Sequence, residues 1–102
     1  MLATPELIER LKAAVCHAQR REEGGVATED DVGCRVMVSL SLVPTGIEVM
    51  ATGMWGDRLG PTIREILAWA SITNARVCPI RAVIDQTITE AIHKGATANV
   101  TA

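Results

Sequence analysis

The chain has 102 residues, of which 48% are apolar and 22% charged, and a formal net charge of −2. That apolar share excludes a disordered chain, the length suits a single domain (residues 1–102) with one modest core, and the charge balance gives no electrostatic footprint for nucleic acid. Phe and Tyr are absent, so aliphatic side chains and two Trp must fill the core, and burial shared between subunits is one way to add apolar area.

Thr4-Pro5-Glu6 supplies a cap, a proline at the first helical position and an acidic first turn. A helix is predicted over residues 5–22, with Leu7, Ile8, Leu11, Ala14, Val15 and Ala18 along one side and Gly24-Gly25 as its stop. Glu6, Glu9, Arg10 and Lys12 break up the apolar run that a secretory signal needs. No apolar run approaches membrane-spanning length. The expectation is a cytoplasmic protein that does not enter a membrane. Residues 26–33, with Glu29-Asp30-Asp31, read as a flexible acidic connector.

Two alternating segments follow, at residues 34–42 and 47–55, separated by Val43-Pro44-Thr45-Gly46. Proline presets one backbone dihedral of such a turn and glycine accepts a positive one. The loop length sets Leu42 opposite Ile47, Leu40 opposite Val49, Val38 opposite Ala51 and Val36 opposite Gly53, all on one face. The other face carries Arg35, Met37, Ser39 and Ser41 beside Glu48, Met50, Thr52 and Met54. An antiparallel hairpin is predicted.

Residues 56–60 then read as a loop, and Pro61 as the first residue of a helix over 61–73 with Ile63, Ile66, Leu67 and Ala70 on its buried side. Asn74 suits its end. Residues 75–78 leave room for a short third strand. Pro79 opens a helix over 79–94 whose face joins Ile80, Val83, Ile84, Thr87, Ile88 and Ala91, with Lys94 and Gly95 as its stop. Residues 96–102 are expected to form a frayed tail. The predicted class is α+β, a hairpin packed with three helices.

Candidate sites are few. Met37, Met50 and Met54 gather on one hairpin face with Trp55 at the adjacent edge, and thioether side chains conform to more than one partner shape. On the predicted middle helix, Trp69 and Ile72 lie well away from the buried row and make a second candidate contact surface. Both surfaces have an alternative assignment as ordinary core of the monomer.

Cys16 faces away from the apolar row of the first helix, with Lys12 and Arg20 four residues to either side. Neighbouring cations favour thiolate, so Cys16 is the candidate exposed, reactive thiol. His17 projects about a hundred degrees further round and makes a poor dyad with it. Arg58, Gly60 and Thr62 lie in the 56–62 stretch that leads into the predicted helix N-terminus at Pro61, where backbone amides attract an anion; Asp57 and the missing proline amide oppose this. The cysteines, Cys16, Cys34 and Cys78, are odd in number and widely spaced, against a disulfide framework. Neither they nor His17 and His93 show zinc-ligand spacing, and nothing in the chain calls for a cofactor.

The functional expectation is a small cytoplasmic protein-interaction module, an accessory subunit, adaptor or regulator. It binds an unidentified protein partner and self-associates as a homodimer. The alternative is a small-molecule or anion-binding protein that uses the 56–62 loop and a pocket between hairpin and helices. Enzymatic activity is the weakest of the three expectations, because no catalytic constellation is present.

Overall fold

The alternating stretch at residues 34–55 forms the centre of an antiparallel sheet in the computed structural model, which describes residues 4–19, 25–29 and 33–100. In chain order the elements are α1 (Pro5–Gln19), β1 (Gly25–Glu29), β2 (Cys34–Val43), β3 (Gly46–Trp55), β4 (Arg58–Ala68), α2 (Trp69–Thr73) and α3 (Ile80–Val100). The four strands form one sheet in the order β1-β2-β3-β4, every neighbouring pair antiparallel. The class is α+β, and the hairpin lies at its heart with the predicted register: Leu42 pairs with Ile47, Leu40 with Val49, Val38 with Ala51 and Val36 with Gly53.

The first helix begins as the cap predicts. The Leu7 amide donates to Thr4 Oγ1 at 3.2 Å and the Ile8 amide to the Thr4 carbonyl at 3.1 Å, which satisfies two of the amides that a helix start leaves unpaired. Its predicted stop at Gly24-Gly25 straddles the described boundary: residues 20–24 lie outside the described residues, as do Asp30, Asp31 and the last two positions of the predicted tail. Residues 25–29 correct the reading of a connector. They form β1, paired with β2 from Gly25 opposite Ser39 to Glu29 opposite Arg35.

The largest correction concerns residues 61–73. The chain there is not a helix. Residues 58–68 form β4, and the middle helix is reduced to the five residues of α2. Ile63, Ile66, Leu67 and Ala70 fit a helical period, but Thr62 and two isoleucines also suit a pleated strand, and pairing with β3 decides between them. Gly56-Asp57 makes the two-residue turn between β3 and β4. Gly56 has φ +63°, a value that suits glycine at the first central position of a type II′ hairpin turn.

Pro61 sits at an irregularity in β4 rather than at a helix start. Thr52 pairs with Thr62 and Met54 with Leu59, so Gly60 and Pro61 together oppose Gly53, as in a β-bulge. Because β4 is an edge strand, the missing proline amide is tolerated. Residues 75–78 contain no strand. The last helix runs on from Ile80 to Val100, through Gly95 and through most of the segment expected to fray.

Both long helices cover the same face of the sheet. Leu7, Ile8, Leu11 and Val15 of α1 and Ile84, Ile88, Ala91 and Ile92 of α3 form one core with Cys34, Val36, Val38, Val49, Ala51 and Trp55. Arg81 links the two helices, donating through Nη2 to the Lys12 carbonyl at 3.1 Å while it lies 2.7 Å from Asp85 Oδ1. That short contact is an ion pair without the alignment of a hydrogen bond. The backbone of α3 comes very close to the sheet through small residues. A Cβ on Gly53 would stand 2.6 Å from the Ala91 carbonyl oxygen, and one on Gly60 would stand 2.6 Å from Gly95 Cα. Gly95, which the sequence suggests as a stop, is therefore a packing residue inside the helix.

Candidate functional site: the open face of the sheet

Strand alternation sends every second side chain of β2, β3 and β4 away from the helices. On β2 these are Arg35, Met37, Ser39 and Ser41, and on β3 they are Met54, Thr52, Met50 and Glu48. The β3–β4 register adds Leu59 opposite Met54, Thr62 opposite Thr52, Arg64 opposite Met50 and Ile66 opposite Glu48. Among the described residues, no core residue of α1 or α3 packs on this side; both helices are committed to the other face, which speaks against the alternative that a helix covers this one as monomer core.

The methionines come together as the hairpin register requires. Met37 lies directly across from Thr52 and diagonally from Met50 and Met54, a separation that long side chains bridge. All three are half-buried, at a spacing across the strands that lets long side chains shield one another. Thr52 is buried, and its hydroxyl lies 2.8 Å from that of Thr62. Ile66, at 53% exposure, and Leu59, at 62%, extend the apolar surface to the edge strand. Arg64 is exposed and Glu48 half-buried.

Three of the other proposed interface residues do not join this face. Trp55 alternates inward and is only 4% exposed; its Nε1 donates to the Ile92 carbonyl at 3.3 Å, so it is core. Trp69 and Ile72 belong to α2, which follows the end of β4 paired with Gly46. That is the end of β3 opposite Met54, about 25–30 Å away along an extended strand. Trp69 instead secures the β2–β3 turn: its Nε1 donates to the Pro44 carbonyl at 3.0 Å and its amide to the Thr45 carbonyl at 3.3 Å.

The anion reading loses its structural basis. Arg58, Gly60 and Thr62 lie along β4, and no helix begins at Pro61 to present backbone amides. Gly60 faces α3 and Thr62 faces the open side, so alternation separates two of the proposed ligands. The region between hairpin and helices, where a pocket was expected, holds the apolar core. The thiol expectation also changes. Cys16 is half-buried and Cys34 buried, while Cys78, in the segment between α2 and α3, is exposed. Among the described residues no group of three or more His, Cys, Asp and Glu is placed to hold a metal ion.

The sequence reading missed Leu59, Arg64 and Ile66. Gly-Asp between two apolar-rich runs is a hairpin signal, and glycine followed by proline inside a strand marks a bulge; together they would have assigned these residues to the outward side of β4. Among the described residues, no helix is long and apolar enough to cross a membrane. Comparison with protein families, with curated proteins and with solved structures finds no match to this chain.

Proposed function

We propose that this chain is a small protein-interaction module, an accessory subunit, adaptor or regulator, which associates as a homodimer through the open face of its sheet. The observation that carries this reading is the composition of that face. An antiparallel sheet with one wet side ordinarily alternates apolar-in and polar-out. Here Met37, Met50, Met54, Leu59 and Ile66 occupy outward positions on three adjacent strands. The side chains also match the usual interface composition, in which Met and Arg are enriched and Lys is depleted: Arg35 and Arg64 accompany the methionines.

The helix-covered side supports the same reading. The core is already filled by α1 and α3, so the methionines are not required to close the monomer. A carboxylate added at Met50 stays hydrated if the face is wet in the monomer and is costly only when the face becomes dry. Met50→Glu is therefore expected to reduce the mass seen by light scattering from two chains to one at micromolar concentration. Cooperative unfolding of the variant should be retained. A wild-type mass of one chain across that range would sink the self-association reading, and loss of cooperative unfolding in the variant would return Met50 to the core.

A further inference from the structure

Four neighbouring positions at the β3–β4 side of the open face form a quadrilateral. Glu48 pairs with Ile66 and Met50 with Arg64. One diagonal therefore joins Glu48 to Arg64 and the other joins Met50 to Ile66, each about 8 Å from strand spacing and residue rise. The charged diagonal has one acid and one base, placed symmetrically about an apolar line. Neither Glu48 nor Arg64 makes an ion pair within the chain among the described residues.

We infer that the occupant of the open face is a second copy of this chain, related by a two-fold axis that lies in the plane of the interface along the Met50–Ile66 diagonal. The inference rests on the docking role proposed above and specifies how that docking is arranged. Rotation about this line carries the Glu48 position to within about 3 Å of the Arg64 position, and the reverse, because the two diagonals cross at about 70°; the long side chains span the difference. Each Arg64 then meets Glu48 of the partner subunit, Met50 meets its own copy, and Ile66 meets its own copy. An isologous contact demands this reciprocity, in which residue i meets j and j meets i. A partner of unrelated sequence has no reason to be matched to it. The strands of the two sheets cross steeply, in the orthogonal class of sheet packing, and the flexible methionines accommodate the self-contact.

The face is large enough for a small contact. β2, β3 and β4, of ten, ten and eleven residues, give an outward strip about 14 Å wide and about 33 Å long, and a steep crossing overlaps only part of it, which puts the contact at the small end of interface sizes. The β4 edge is a poorer route to association. Pro61 at its bulge, together with Arg64 and Glu65, gives it the features by which edge strands avoid pairing with another chain.

The test uses two charge-reversal variants, Glu48→Arg and Arg64→Glu, studied singly and mixed in equal amounts, by light scattering and native mass spectrometry. Each variant alone places like charges at both contacts, and its dimer is expected to weaken by about tenfold or more. The mixture is expected to form a heterodimer as stable as the wild-type homodimer, because an arginine then faces a glutamate at both contacts. Thermal unfolding of each variant confirms that it is folded. Failure of the mixture to form a heterodimer, while Met50→Glu still splits the wild-type dimer, would overturn this axis and leave the docking face intact. A wild-type chain that is monomeric throughout would overturn the second copy as occupant. Variants that remain dimeric alone would also overturn the proposed pairing.

Discussion

Gly53, Gly60 and Gly95 determine how closely α3 can lie on the sheet. At each of them a Cβ would fall within 3.0 Å of another segment's backbone. Replacing glycine by alanine inside a strand ordinarily stabilises by about 0.5–1 kcal/mol, because the unfolded chain loses freedom. Gly53 reverses that sign. The carbonyl of Ala91 lies 2.6 Å from the added Cβ, and a backbone group in a packed helix cannot swing aside as a side chain can, so the overpacking cost of about 1–3 kcal/mol exceeds the gain. Gly53→Ala is expected to lower stability by about 1–2 kcal/mol in urea unfolding, and an unchanged or raised midpoint would show that the helix shifts without cost. Trp55 depends on the same approach, since its indole reaches the Ile92 carbonyl only because α3 lies so near.

At the scale of the element, β4 offers a direct comparison between strand and helix. In a helix Ile63 and Ile66 would share one side and matter about equally. In β4 they point to opposite faces: Ile63 pairs with Ala51 and packs against the core, whereas Ile66 pairs with Glu48 on the open side and is 53% exposed. Ile63→Ala is expected to cost about 1–3 kcal/mol and Ile66→Ala no more than about 0.5 kcal/mol in the stability of the monomer, measured at a concentration below dimerisation. Equal costs would restore the helical arrangement. The contrast also shows what the sequence makes legible. The register of the hairpin is readable because alternation places both apolar rows on one face, and the methionine face follows from it; the turn differs from expectation, since Val43 pairs with Gly46 around Pro44-Thr45 and Gly46 has no positive φ. In β4 the signal is mixed, because Glu65 faces the helix side and Ile66 faces outward, so alternation weakens while a false helical row appears and Pro61 imitates a helix start. Residues 25–29 are harder still, since a short edge strand beside glycines and acids gains its structure from pairing with β2 rather than from its own pattern. Trp55 and Cys16 fail for a related reason: the inward row of β3 continues to its last residue, and the exposure of a helix side depends on neighbours that a single sequence does not reveal.

At the scale of the whole molecule, the sheet has one face covered by helices, and the proposed association through the other links stability to assembly. A ligand that binds only the folded form raises its apparent stability, and in a homodimer that ligand is the protein itself. For a chain of this size, each tenfold rise in concentration is expected to raise the wild-type melting temperature by about 3–6 °C in the dimeric range. Met50→Glu should show no such rise. A wild-type melting temperature independent of concentration would argue against dimerisation, whatever the composition of the face.

The one-sided cover has a further consequence for biosynthesis. In chain order all four strands precede α3, so a ribosome delivers the complete meander before the helix that protects Val49, Ala51 and Trp55 exists. Until the 21 residues of α3, about 1–4 s of synthesis, have joined the sheet, the part of the inner face that α1 does not cover lacks its helix while the open face is also uncovered. The open face, if it associates as proposed, is then as accessible to neighbouring nascent chains as it later is to a finished partner. Sheet formation ahead of its cover thus favours either a chaperone at the exit site or pairing between chains on the same polysome, where a second copy is closest at hand.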